Sequence, residues 1–298
     1  MRDHARNTFK AMLASLTALG AYFAAPNAAR ADWALAVAAG ADHDDNVGNA
    51  HAEYDKVADY SAAARFTALQ LVQLGEDWSL AAGGDLAAQT YDHLVGLRNG
   101  SLDLLLSLKK KWGLGAFAPW ARAGISLGRT DYNDGYRDAT IYGASLDLGK
   151  RIDARWNVWG SYAFEHRSAA PAGPKFPGVS NDAFSGNGNT FTANVEYSVS
   201  ERFSVSAGSL FRHGDVVSTT SPGGIYASSK AVAEDPTFGP NFYAYRLNGS
   251  TLSVRLGLDF SITMHSLIGC GFQRSETHAQ GGNNYASSKP EVIWNYLF

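Results

Sequence analysis

Cysteine is nearly missing from this chain: Cys270 is the one thiol in 298 residues. An exported chain of this size therefore has no intramolecular disulfide and must close its fold by another route. Proline is also scarce, at 9 residues, and the formal charge is only −3. Strands are thus seldom interrupted, while a nucleic-acid partner and a polybasic patch find no support. Beyond residue 31 no stretch approaches the roughly 18 to 20 apolar residues of a membrane helix, which excludes a helical membrane protein. No Cys/His spacing fits zinc, and nothing matches the nucleophile motifs of lipases. No cofactor, metal or catalytic residue is expected, and the chain reads as a non-enzyme.

What is present is glycine (31), tyrosine (14) and tryptophan (7), a composition of twisted strands with interfacial aromatics. At the start, Arg2, Arg6 and Lys10 precede an apolar run from Ala11 to Ala25 and a small-x-small site at Ala29-Arg30-Ala31. That is the layout of a signal peptide, so residues 1–31 are expected to direct export and 32–298 to form one β-domain.

Period-two alternation runs through that domain. The clearest case sets Leu102, Leu104, Leu106 and Leu108 against Asp103, Leu105, Ser107 and Lys109. A helix is the rival for so leucine-rich a run, but Asp103, Ser107 and Lys109 fit no helical stripe. In the segment from Ser61 to Leu74, Phe66 and Leu69 disagree in parity and leave the apolar face open. About twelve strands are expected. Tight turns (Gly75-Glu76-Asp77, Arg151 to Ala154, Ser200-Glu201-Arg202, Thr263 to His265) alternate with longer connections, notably 169–187, 217–243 and 275–289, of which the first two are expected to be able to fold inward as gates.

The face opposite the apolar one carries Asp85, Asp103, Asp147, Glu165, Glu196 and Asp259 with Lys109, Arg122, Arg167, Arg212 and Arg255. Unpaired charges in an enclosed space are costly, so these are expected to pair across a narrow lumen. A strongly cationic lining, as in an anion-selective pore, is absent.

The last nine residues, P-E-V-I-W-N-Y-L-F, place Val292, Trp294, Tyr296 and Phe298 on one face of a strand. A final strand ending on the chain's last aromatic resembles the C-terminal signal of Gram-negative outer-membrane β-barrels. The resemblance implies that these four residues serve insertion by the barrel-insertion machinery. Asp44-Asp45-Asn46, with Tyr285, Ser287 and Phe298, resembles the barrel half of surface lipoprotein assembly modifiers, over short segments only. Their helical-repeat domain is missing, and no functional residue carries over.

The expectation is an all-β fold: a transmembrane antiparallel up-and-down barrel with short periplasmic turns and long extracellular loops. The alternative is a soluble sandwich, which has no reason to sort its loops by length. An outer-membrane location with lipid and lipopolysaccharide as neighbours follows, with a monomer favoured. Porin-like passage of small solutes is the leading role. Loop-mediated adhesion or surface-protein assembly is one alternative, and a lipid-modifying hydrolase built on His166 or His213, with Ser168 and Ser209 nearby in sequence, is another. Asp42, Asp44, Asn46 and Glu53 have the spacing of a calcium loop, but Val47 occupies the glycine position, and a solvated acidic loop is the simpler reading.

Overall fold

The computed structural model describes residues 32–298; the expected signal peptide lies outside them. Thirteen strands form one antiparallel sheet: β1 (Asp32–Asp44), β2 (Asp59–Gln73), β3 (Trp78–Tyr91), β4 (Asn99–Lys111), β5 (Trp120–Tyr132), β6 (Ala139–Arg151), β7 (Trp156–Ala169), β8 (Gly186–Ser198), β9 (Phe203–Thr220), β10 (Ala231–Glu234), β11 (Tyr243–Ser261), β12 (Ser266–Ala279) and β13 (Tyr285–Leu297). Neighbours in sequence pair with each other from β1 to β9, β9 pairs with β11, and β13 returns to β1. Twelve of the strands are therefore the staves of a closed barrel. The short β10 stands apart, paired to the end of β11 through Ala231↔Arg246 to Glu234↔Tyr243.

Alternation decides which way each stave faces. Leu102, Leu104, Leu106 and Leu108 are exposed on the outside, and Asp103, Ser107 and Lys109 turn inward. Register lines up an outer hoop across successive staves: Leu80, Leu108, Ala123, Leu146, Tyr162, Phe191, Phe211 and Leu252. The open parity of β2 resolves with Phe66 outward and Leu69 inward, because Thr67 donates to Asp85 inside. Every stave has 13 residues or more, beyond the roughly 9 to 11 that cross a hydrocarbon core. So wide an apolar exterior would aggregate in water, and a closed sheet in lipid leaves no unpaired edge.

The seam between β1 and β13 runs through seven pairs, from Ala36↔Leu297 to Asp42↔Glu291, and the Phe298 amide donates to Leu35 O at 3.0 Å. Both described ends lie on the short-turn rim, made of the four-residue turns 74–77, 152–155, 199–202 and 262–265 and the eight-residue connection 112–119. Connections on the other rim cover 45–58, 92–98, 133–138, 170–185, 221–242 and 280–284. Two expectations need correction here. The connection expected at 275–289 is only five residues, because its polar sequence continues both strands and pairs serine with serine, as at Ser275↔Ser287. The one expected at 217–243 is not irregular throughout, since β9 and β11 extend into it and β10 lies within it.

Candidate functional site

Glycine shapes the interior. Inward glycines stand directly opposite long inward side chains, and Asp103 lies over Gly128, Trp120 over Gly149, Asp259 over Gly269 and Glu291 over Gly271. A Cβ at any of these glycines would collide with the partner side chain. The long side chains consequently rest against the wall instead of crossing the bore.

Charges pair along that wall. Arg122 Nε donates to Asp147 Oδ2 at 2.9 Å, Arg255 Nε to Glu291 Oε1 at 2.6 Å, and Lys289 Nζ meets Asp42 Oδ1 at 2.9 Å. Asp85 is buried and accepts from Thr67. Arg65 is buried in the field of Asp85 and Asp103. Glu165, Glu196 and Asp259 face inward on β7, β8 and β11, and Lys109 lies over the Trp120 ring at 4.8 Å. Asp42, Arg65, Lys289 and Glu291 were absent from the sequence-derived set. Their signal was available: the face of the terminal strand opposite Val292 and Trp294 carries Lys289 and Glu291 at alternate positions.

Arg167 and Arg212 serve the loop rim. Arg167 Nε donates to Phe184 O at 2.8 Å and its Nη2 to Arg137 O at 2.6 Å, while Arg212 Nη1 donates to Asp215 O at 2.8 Å. They brace a lid. The β9–β11 hairpin bends at Gly214, whose φ of +146° suits glycine alone and whose Cβ would strike Asn187 O. Beyond the bend it meets the connection after β1, where Thr219 N donates to Gly48 O at 2.7 Å and Ser218 Oγ to Asn49 O at 2.7 Å. Phe238 packs with Val47 from the connection after β1, with Tyr91 at the end of β3, and with Leu94 and Leu97 from the connection that follows it. Thr237 Oγ1 donates to Asp134 after β5 at 2.9 Å, and β10 packs its alanines on Ala172, Ala183 and Phe184 after β7. Segment 221–242 thus touches connections all round the rim, the far side included, so it crosses the mouth.

Where the lid meets the connection after β5, Arg137 is fully buried. It pairs with Asp134 and Asp235, stacks over Phe184 at 4.6 Å, and Asp235 also accepts from Thr219 Oγ1 at 2.7 Å. Accessibility falls accordingly along the bore: near the short-turn rim the side chains of Arg122 and Asp147 keep 27% and 15%, and at the lid Asp235 and Arg137 keep none.

The other sequence candidates are placed as follows. Val292, Trp294 and Phe298 are exposed on the outer wall, with Tyr296 half-buried between Trp294 and Phe298. His166 Nδ1 meets Asn187 Oδ1 at 2.7 Å. The serine that meets His213 is neither Ser168 nor Ser209 but Ser250, at 2.9 Å, because register sets Ser250 opposite it. Ser250 lies within two continuous ladders, which spend the backbone donors that an oxyanion would need. The calcium spacing does not converge, since Asp42 pairs with Lys289, Glu53 pairs with Lys56 on an exposed turn, and Asn46 is buried on Ala50 and Ala286. Asp45 accepts from Ser288 N at 2.8 Å, so the Asp44-Asp45-Asn46 motif ties the first connection to the last stave. Cys270 is exposed on the outer wall of β12.

This barrel resembles an outer-membrane channel from Pseudomonas putida F1 with a TM-score of 0.56 at 13% identity, over 92% of this chain and 99% of that one. The chain shares that protein's barrel fold. The NanC porin superposes with a TM-score of 0.47 at 12% identity over 88% and 98% of the two chains. No family model matches the sequence, and no curated protein matches it.

Proposed function

We propose that the chain resides in the Gram-negative outer membrane and passes small solutes through its bore, with the lid as a gate. The lid is what supports a gate: the staves are long continuous ladders, whereas segment 221–242 is held across the mouth by the four-pair β10–β11 ladder, side-chain contacts and a few loop bonds. In this reading the short-turn rim and both ends of 32–298 face the periplasm, and the loops face outward into lipopolysaccharide. Lumenal Asp85, Asp103, Lys109, Arg122, Asp147, Glu165, Glu196, Arg255 and Asp259 line the path, while Arg167 and Arg212 brace the gate.

Conductance in planar bilayers tests it. The folded protein should show small, salt-dependent currents, and replacing 221–242 by a short turn should raise the unit conductance several-fold. Silence from both proteins, with the barrel folded, would overturn passage and favour loop-mediated adhesion or assembly. The His213–Ser250 contact is the one observation on the side of a lipid hydrolase, and the fully paired backbone around Ser250 stands against it. Phospholipid turnover in detergent that is lost in Ser250→Ala would establish it.

A further inference from the structure

Near the short-turn rim, three staves place two indoles on one row of the inner wall. Register runs Lys111↔Trp120↔Gly149↔Trp159, and the row above runs Lys109↔Arg122↔Asp147. Trp120 lies over Gly149, and Trp159 stands on its far side. Two strand spacings separate their Cα atoms by about 10 Å, and the lean of the Trp120 ring over Gly149 brings it toward Trp159. Lys109 sits over the Trp120 ring at 4.8 Å, and Arg122 at 6.0 Å from it is matched by Asp147. Among the described residues neither Lys109 nor Lys111 meets a carboxylate within ion-pair distance.

Elsewhere on the wall cations are neutralised: Arg255 by Glu291 and Lys289 by Asp42. Here two ammonium groups lack a counter-charge beside half-buried aromatic faces. Inside a confined bore a missing counter-charge is an invitation to an anion, because Coulomb attraction there is less screened than in bulk water. The Trp120 face is already occupied by Lys109, which leaves Trp159 to offer a flat apolar surface.

We infer that this patch is a binding subsite for small aromatic carboxylates. The carboxylate would sit between Lys109, Lys111 and Arg122, and the ring would lie on Trp159. This rests on the passage reading for its place in a path, though binding itself does not require current. Both requirements together define the class, since charge alone or ring alone would satisfy half of the site.

The test is calorimetric titration of detergent-folded full-length protein with benzoate, acetate and benzyl alcohol, alongside bilayer currents with benzoate on the short-turn side. Saturable benzoate binding is expected, at least tenfold tighter than acetate or benzyl alcohol. Lys109→Gln/Lys111→Gln and Trp159→Ala should each weaken it at least tenfold, and Trp159→Phe should retain most of it. Current that benzoate does not reduce, with no saturable binding, would overturn the subsite and leave passage standing. Benzoate binding in a protein that never conducts would overturn passage and leave the subsite standing. Equal affinity in wild type and the lysine variant would also overturn the subsite.

Discussion

Asp59 shows how a single side chain sets a loop. Its carboxylate accepts from the amides of His93 at 3.1 Å and Leu94 at 2.8 Å, and it meets His93 Nδ1 at 3.1 Å. The hydrogen bond to Asp59, aided by Asp92, raises the His93 pKa above its ordinary value. A raised folded pKa means that the imidazolium strengthens this loop below the ordinary histidine range, and that the contribution fades as pH climbs through the raised value. A histidine ring titration by NMR should therefore place the His93 midpoint above 6.5, and Asp59→Asn should return it toward the unperturbed value. A His93 midpoint that ignores the substitution would show that Asp59 is not the cause. None of this was legible from sequence: Asp59 and His93 are 34 positions apart, and only the pairing of β2 with β3 brings them together.

The lid is the element on which gating turns, and Arg137 is its latch. Removing one partner of a buried ion pair leaves an uncompensated charge, at a cost of about 3–5 kcal/mol. In Arg137→Met, proteolysis within 221–242 of the folded protein should be at least tenfold faster than in wild type. The double variant Arg137→Met/Asp235→Leu should recover part of that protection, because it leaves no orphan carboxylate. Equal nicking rates in wild type and the single variant would deny the latch. Strand alternation in the sequence located the β9 and β11 staves, and the long connections at 169–187 and 217–243 are the ones expected to fold inward; the contacts of 221–242 show which of them spans the mouth. Alternation reports which side of a wall a residue faces, and Val216 to Thr220 continue it with both sides covered. Arg137 likewise sits in the connection after β5 and has no partner within a pattern of two. The staves, their faces and the short turns were readable because each depends on neighbours in sequence. Lys289 and Glu291 on the final strand are readable in the same way, from their alternation with the aromatic face.

For the molecule as a whole, the division between outer and inner wall is the governing property. Leu104 lies on the outer face midway along β4 and is 54% exposed. Arginine there should cost about 2–4 kcal/mol if the belt meets the bilayer midplane. Equilibrium unfolding in phospholipid vesicles checks this, with Leu104→Ala as the size control. A loss no greater than that of alanine would mean that the belt is not in hydrocarbon.

The seam has a consequence in time. Ala36 and Leu297 meet only when every stave between them is in place, since they stand on β1 and β13. Until then the growing sheet keeps two raw edges, each a template for any other strand. Every copy thus passes through an interval of vulnerability between synthesis and sealing, and the final stave ends it. A cell that makes this protein has to keep those edges covered until β13 finds β1.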